Sequence, residues 1–129
     1  MTEIVVPISV GELVDKVTIL RIKSTQIKDA QKLENIRNEL VALEETCLKN
    51  KIDLKTNLVA ELEAINLKLW DVEDELREKE RTETFDKEFI NLARAVYFTN
   101  DKRADIKKQI NLSTGSKFVE EKSYKNYQK

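Results

Sequence analysis

The chain has 129 residues and a formal net charge of −1, and charged residues make up 36% of it, as in a single soluble domain. Two glycines and one proline are too few for the turns of a β-sandwich or barrel, so the composition predicts an all-α fold. No run of about 18 apolar residues predicts a transmembrane helix, and residues 1–9 lack the features of a signal peptide. We therefore expect residues 1–129 to form one helical domain in the cytoplasm, without a membrane partner.

The residue types that are missing restrict the chemistry that the protein can perform. Histidine is absent and Cys47 is the single cysteine, which excludes Ser-His and Cys-His nucleophile pairs, histidine metal sites and internal disulfides. Cys47 continues the apolar spacing of its helix, so we interpret it as a small buried side chain rather than a nucleophile. Any catalysis would depend on carboxylates, lysine, tyrosine or a metal bound by carboxylates. The composition favours a protein that is not an enzyme and has no cofactor.

Cap signals define the first two predicted helices. Ser9 opens a capping box, which predicts a helix from Ser9 to about Lys28. Asp29 is suited to cap a second helix over Ala30–Leu48. The connection between them is short, so we expect the two helices to lie side by side and antiparallel.

The third predicted helix runs from Leu54 to about Arg81 and is apolar on two faces. One face has the 4-3 spacing of a coiled-coil seam and comprises Leu58, Leu62, Ile65, Leu69, Val72 and Leu76. The second stripe comprises Ala60, Ala64, Leu67 and Trp70. A helix of this kind normally lies between partners, so we expect the other elements to pack against it. For the same reason we expect a homodimer that uses this helix or the first one.

A fourth helix completes the predicted bundle. Thr84 or Asp86 caps its start, and Gly115 is suited to end it. Residues 4–6 and the pair Phe118–Val119 are β-like runs that could meet at one side of the domain. The predicted fold is therefore an antiparallel bundle of about four helices, with short β-like segments at both chain ends.

The buried face of the fourth helix is interrupted by polar residues. Its seam begins and ends with apolar residues but passes through Thr99 and Arg103, and Asn100 and Asp101 lie beside them. Arginine is seldom buried without an acidic partner, so we expect Arg103 to pair with a carboxylate. The candidate partners are Asp15 of the first helix and Asp71, Asp74 and Glu75 of the third.

Charge is spread unevenly along the chain. Residues 53–91 contain 12 acidic and 6 basic residues, 6 − 12 = −6, whereas residues 102–129 contain 8 basic and 3 acidic residues, 8 − 3 = +5. Either the basic end lies against the acidic third helix, or it binds a polyanion. The sequence favours the first interpretation.

The polar residues of the predicted helices are compatible with two kinds of ligand site, a metal site and an anion site. Asp71 with Asp74 and Asp101 with Asp105 have the spacing with which all-α nucleotide pyrophosphohydrolases hold Mg²⁺, although the glutamate-rich motif of those enzymes is not recognisable. Alternatively, arginines that converge with asparagine and tyrosine bind phosphate or carboxylate. The candidate ligand-binding residues are Lys16, Trp70, Asp71, Asp74, Arg94, Tyr97, Asn100, Asp101 and Arg103. Solvated helix surface and internal ion pairs explain the same residues.

The C-terminal tail alternates basic with aromatic residues, which is a pattern that can stack on single-stranded nucleic acid. The alternating residues are Lys122, Tyr124, Lys125, Tyr127 and Lys129. Two tyrosines are few for that purpose, so the sequence favours a tail that docks on the bundle. We do not expect nucleic acid as a partner.

Four blocks of sequence resemble a small family of bacterial and phage proteins. They are PISVGELVDKVTILRIKSTQI at 7–27, LWDVEDELR at 69–77, LARAVYFTNDKRADIKKQIN at 92–111 and VEEKSY at 119–124. That family is known as a domain of unknown function, so the resemblance implies a small helical cytoplasmic protein and no particular activity. The blocks contain the polar positions noted above, which favours one common polar site.

From the sequence we expect a non-enzymatic binding or assembly module that self-associates. The alternative is a protein that binds a small anionic, phosphate-containing molecule, or a Mg²⁺-dependent enzyme that acts on one, at the polar residues of the fourth helix. The two differ in whether those polar groups converge on an open cavity or are consumed by internal pairs.

Overall fold

The computed structural model describes residues 1–127 and contains four helices. They are α1 (Val10–Gln26), α2 (Ala30–Lys49), α3 (Asn57–Arg81) and α4 (Lys87–Thr114). No residue within 1–127 lies in a strand, which confirms the all-α class. The runs at 4–6 and 118–119 that were predicted as β-like are irregular, and a lone pair of such short strands would be marginal in water. Within the same residues, no helix is long and apolar enough to cross a membrane.

Side-chain caps set where the helices begin. Ser9, Asp29, Thr56 and Asp86 each accept a hydrogen bond from the backbone N–H three residues further on. These bonds satisfy donors that a helix N-terminus otherwise leaves unpaired. Gly115 ends α4 with φ +67°, the left-handed conformation that glycine adopts without strain. The predictions for Ser9, Asp29, Asp86 and Gly115 are therefore confirmed, whereas the cap at Thr56 was missed.

The first helix, not the third, is the element to which all others are attached. α1 packs against α2, α3 and α4, whereas α2 packs against α1 alone within the described chain. The expectation that every element packs against the third helix is therefore wrong for α2. The physical reason is that α1 buries residues on several sides, among them Leu13, Val14, Val17 and Leu20. A helix with so little exposed surface must lie between neighbours.

The predicted seam of α3 is partly buried, with Leu58, Ile65 and Leu76 half-buried, whereas most of its second stripe is exposed. Leu62, Leu69 and Val72 lie in the interior. Ala60, Ala64 and Leu67 are exposed, and Trp70 is half-buried. Thr56 caps the helix, so α3 begins at Asn57 rather than at the predicted Leu54.

Two apolar clusters lie on different sides of α1. One joins Val14 to Val59 and Leu62 of α3 and to Ile106 and Ile110 of α4. The other joins Leu13 and Val17 to Cys47 of α2. Burial raises the pKa of the Cys47 thiol, which agrees with its interpretation as a packed apolar side chain.

Helices α1 and α4 approach each other closely at Gly11. The Gly11 N–H donates a 2.6 Å hydrogen bond to Oδ1 of the buried Asn111. A Cβ atom at Gly11 would lie 2.5 Å from the carbonyl oxygen of Lys107, so only glycine fits at this position. This close approach brings the polar residues of α4 within reach of the acidic residues of α1.

Candidate functional site

A buried carboxylate lies at the centre of the polar residues. Asp15, on α1, is 1% exposed. Its Oδ1 accepts hydrogen bonds from Arg103 Nε and Asn66 Nδ2, both at 2.9 Å, and its Oδ2 accepts one from Arg103 Nη2 at 2.5 Å. Lys107 Nζ lies 3.9 Å from Oδ2. Of the four carboxylates predicted as partners of Arg103, the structure therefore selects Asp15.

The partners of Asp15 keep it charged despite its burial. Burial by itself raises the pKa of Asp15, and it is the largest single effect. The hydrogen bonds from Arg103 and Asn66 and the positive charges of Arg103 and Lys107 together outweigh it, so the pKa lies below its ordinary value. The bond to Asp15 likewise raises the pKa of Arg103. Asp15 and Arg103 are therefore a stable ion pair at neutral pH.

Two uncharged residues complete the buried network. Asn66 Nδ2 also donates to Thr18 Oγ1 at 2.9 Å, and Thr18 Oγ1 donates to the Asp15 carbonyl at 2.8 Å. Within residues 1–127, no buried side-chain nitrogen or oxygen is left without a hydrogen-bond partner. The network thus links α1, α3 and α4 with its polar groups satisfied, which a buried polar cluster requires for stability.

Arg103 leaves one edge of its guanidinium for other interactions. It approaches Asp15 side-on through Nε and Nη2, and its Nη1 donates to Asn100 Oδ1 at 3.3 Å. These hydrogen bonds, which are the ones it makes within residues 1–127, use three of the five N–H groups of a guanidinium. Its side chain is 28% exposed, whereas that of Asp15 is 1% exposed.

Arg103 lines a cavity of about 540 Å³ between α4 and the C-terminal segment, which we define as residues 116–127. The residues from α4 are Val96, Tyr97, Asn100, Asp101, Arg103, Ala104 and Lys107. The residues from the C-terminal segment are Glu120, Lys122, Tyr124 and Tyr127. The lining thus combines three cations, two carboxylates, three phenol rings and an amide.

The C-terminal segment is held against α4 by charged and aromatic contacts. Lys108 Nζ donates to Glu121 at 3.2 Å, and the Tyr127 hydroxyl donates to Asp101. The Tyr127 ring meets the rings of Tyr97 and Phe98 edge-on, with centroids 5.3 and 5.0 Å apart. The tail therefore docks on α4, as the sequence favoured; Lys129 lies outside the described residues.

The other cations of the cavity are paired as well. Lys107 Nζ donates to Glu12 Oε2 at 2.6 Å, and Lys122 Nζ lies 2.9 Å from Glu120 Oε1. The hydrogen bond between them raises the pKa of Lys122 and lowers that of Glu120. The five charged lining residues carry a net charge of 3 − 2 = +1.

The predicted site residues divide into two groups. Tyr97, Asn100, Asp101 and Arg103 all line the cavity. Lys16, Trp70, Asp71, Asp74 and Arg94 do not belong to its lining. Of this second group, Lys16, Asp71 and Asp74 are exposed, Trp70 is half-buried, and Arg94 stacks over the Phe98 ring at 5.6 Å.

The acidic pairs of α3 and α4 do not converge. Within residues 1–127 no three carboxylate or thiol groups are arranged to hold a metal ion, so Asp71 and Asp74 do not meet Asp101 and Asp105 there. The basic end does pack against the third helix, through Ile106 and Ile110, but not through ion pairs in the part of the chain that the structure describes. The ion pairs of residues 102–127 go to α1 and to the C-terminal segment, because α1 is the helix that carries buried carboxylate opposite α4.

Sequence reasoning missed three residues that matter to the site. Asn66 and Thr18 hold Asp15 in place, and Glu120 lines the cavity. Asn66 lies four residues after Leu62 on the buried side of α3, and a lone amide at such a position was a usable signal. Glu120 offered no such signal, because it lies in an irregular segment whose path follows from tertiary contacts alone.

Comparison with known proteins gives a family and no described activity. Neither a curated protein nor a solved structure matches the chain. A family model matches residues 4–128, which is nearly the full length. The chain belongs to the family of unknown function DUF6165.

Proposed function

We propose that this protein is a non-enzymatic binding module whose ligand is a small anion, held between α4 and the C-terminal segment. The observation that supports the proposal is the cavity of about 540 Å³ with Arg103, Lys107 and Lys122 in its lining. Ligand pockets typically measure about 300–1,000 Å³ and carry a few placed polar groups. This cavity has that size and that composition.

Arg103 is the residue best suited to bind the anion. Asp15 occupies one edge of its guanidinium and fixes its orientation, while two N–H groups remain beyond the three bonds described above. A guanidinium held in this way loses little side-chain freedom when it binds a carboxylate or phosphate. Asp15 therefore supports both the fold and the site, and the internal ion pair is compatible with a ligand.

Lys122 adds a cation that is more exposed than Arg103 and Lys107. It lies in the C-terminal segment, its side chain is 43% exposed, and its partner Glu120 is similarly exposed. An exposed pair of this kind contributes little to stability, so an entering anion can compete for the lysine. Lys107 is more deeply buried and pairs with Glu12, so it contributes mainly positive potential.

The proposal is tested by titration of the full chain with inorganic phosphate. Calorimetry should give saturable binding, and the melting temperature should rise as ligand binds the native state alone. Sodium chloride at matched ionic strength controls for screening. Lys122→Ala should weaken binding, whereas Lys16→Ala, which removes an exposed lysine outside the lining, should not. Equal effects of phosphate and chloride, or equal loss in both variants, would contradict the proposal.

A second candidate function is self-association as a homodimer. It is supported by the exposed stripe of α3, in which Leu67 remains 40% exposed beside Ala60 and Ala64. A partner copy would bury that stripe. We also propose that the four helices form an antiparallel bundle. The protein would then reside in a reducing cytoplasm, where the single thiol of Cys47 stays unpaired.

A further inference from the structure

The cavity has an aromatic part as well as a cationic part. Tyr97, Tyr124 and Tyr127 all belong to its lining. Tyr97 and Tyr127 stand almost perpendicular, at 77°, and Tyr97 remains 45% exposed. The Tyr97 ring also meets the Phe98 ring, with centroids 5.0 Å apart, and its exposed surface remains available to a further aromatic partner.

The aromatic and cationic parts are separated by a distance that one small molecule can span. Tyr97 and Arg103 are six residues apart on α4, which corresponds to about 9 Å of helix. The amide of Asn100 lies between them and holds the Arg103 guanidinium at 3.3 Å. On the opposite wall, Lys122 Nζ lies 5.9 Å from the centre of the Tyr124 ring, so a cation and a ring are adjacent there too.

A bare inorganic anion would use only part of this site. Each cation of the lining is already paired with a carboxylate, so the site offers limited positive charge, which suits a ligand with one anionic group better than a polyanion. The rings would then have no function in binding, although ligand pockets are lined predominantly by hydrophobic and aromatic side chains. A ligand that uses the whole site must therefore carry both an anionic group and an aromatic ring.

We infer that the ligand is an anion that carries a planar ring: its phosphate or carboxylate binds Arg103 and Lys122, and its ring packs against Tyr97 and the tyrosines of the C-terminal segment. This inference rests on the proposed function, because it names the class of ligand for the same site. Beyond the proposed function, it states that the ring of the ligand contributes to the binding affinity. Tyr97 is then a residue that determines specificity.

The test compares three probes by calorimetry: phenyl phosphate, inorganic phosphate and phenol. Phenyl phosphate should bind about tenfold more tightly than inorganic phosphate, since one aromatic contact has about that effect. Phenol should bind more weakly than either. Tyr97→Ala should remove most of the advantage of phenyl phosphate, because it lowers the affinity for phenyl phosphate more than that for inorganic phosphate.

A second Phe/Tyr-to-Ala variant, outside the cavity, is the control for Tyr97→Ala. Phe85→Ala removes an exposed ring that precedes α4 and lies outside the lining, so it should preserve the advantage of phenyl phosphate. Equal affinity for phenyl and inorganic phosphate, or an advantage that is undiminished in Tyr97→Ala, overturns this inference and leaves the anion site standing. If neither phosphate binds, the proposed function fails, and the inference fails with it.

Discussion

Asp15 and Arg103 lie 88 residues apart in sequence and form a side-on ion pair in which only one partner is buried. The Asp15 side chain is 1% exposed and that of Arg103 is 28% exposed. Removal of the two partners therefore has unequal consequences. Without Asp15, the guanidinium can turn toward water, whereas without Arg103 the carboxylate stays in the interior with less compensation.

The first prediction concerns the loss of Arg103. Arg103→Met should reduce the free energy of unfolding by about 3 kcal/mol, the lower end of the range for a broken buried pair, because Asn66 and Lys107 remain near Asp15. Urea unfolding at pH 7 measures the change. Arg21→Met is the control, since Arg21 pairs with Glu44 at the surface and such a pair contributes about 0–1 kcal/mol.

The ionisation of Asp15 should stabilise the parent protein but destabilise Arg103→Met, so the free energies of unfolding of the two proteins should depend on pH in opposite directions. In the parent, the pKa of Asp15 lies below its ordinary value of 3.8, so its contribution is complete above pH 3.8 and is lost as the pH falls through the folded-state pKa. In Arg103→Met the effect of burial prevails and the pKa should lie above 3.8, so acid relieves the buried charge. The stability difference between the two proteins should therefore narrow between pH 7 and pH 4; a constant difference would contradict this account.

Local signals in the sequence were sufficient for the helices and for part of the site. A capping serine or a glycine that ends a helix acts within a few residues, so Ser9 and Gly115 could be recognised without the fold. The role of α1 as the central helix could not, because its apolar pattern resembles that of α3 and the difference arises from packing. Likewise, Arg103 was recognisable as a residue in need of a carboxylate, but the choice of Asp15 depends on the close approach at Gly11.

The second prediction distinguishes two asparagines of the network. Asn66 is buried and donates to both Asp15 and Thr18, so Asn66→Leu should cost about 1–3 kcal/mol in the free energy of unfolding. Asn100 is half-buried and accepts one long hydrogen bond from Arg103, so Asn100→Leu should change stability by about 0.5 kcal/mol or less. Instead, it should weaken phosphate binding. Equal destabilisation of both variants would show that Asn100 belongs to the structural network rather than to the site.

The third prediction concerns the contact between α1 and α4. Gly11→Ala places a methyl group 2.5 Å from the Lys107 carbonyl oxygen, so the helices must separate, at a cost of about 1–3 kcal/mol. Gly115→Ala is the comparison, because it meets no atom within 4 Å but has φ +67°, and its strain should cost about 1 kcal/mol. The affinity for phosphate distinguishes the two variants. Gly11→Ala shifts α4, which carries Arg103 and Lys107, and should weaken phosphate binding, whereas Gly115→Ala should not.

The last prediction concerns self-association. Leu67 is 40% exposed on the stripe of α3 that no helix of the described chain covers, so a glutamate there remains in water in the monomer and loses its hydration only in a dimer. Leu67→Glu should therefore abolish the proposed dimer, as measured by light scattering at micromolar concentration, with the helical circular dichroism unchanged. Val41→Glu makes the same exchange at an exposed position of α2 and should leave the dimer intact. A parent protein that scatters as a monomer at high micromolar concentration would exclude α3 as an interface, and equal dissociation by both variants would assign the contact to a wider surface that includes α2.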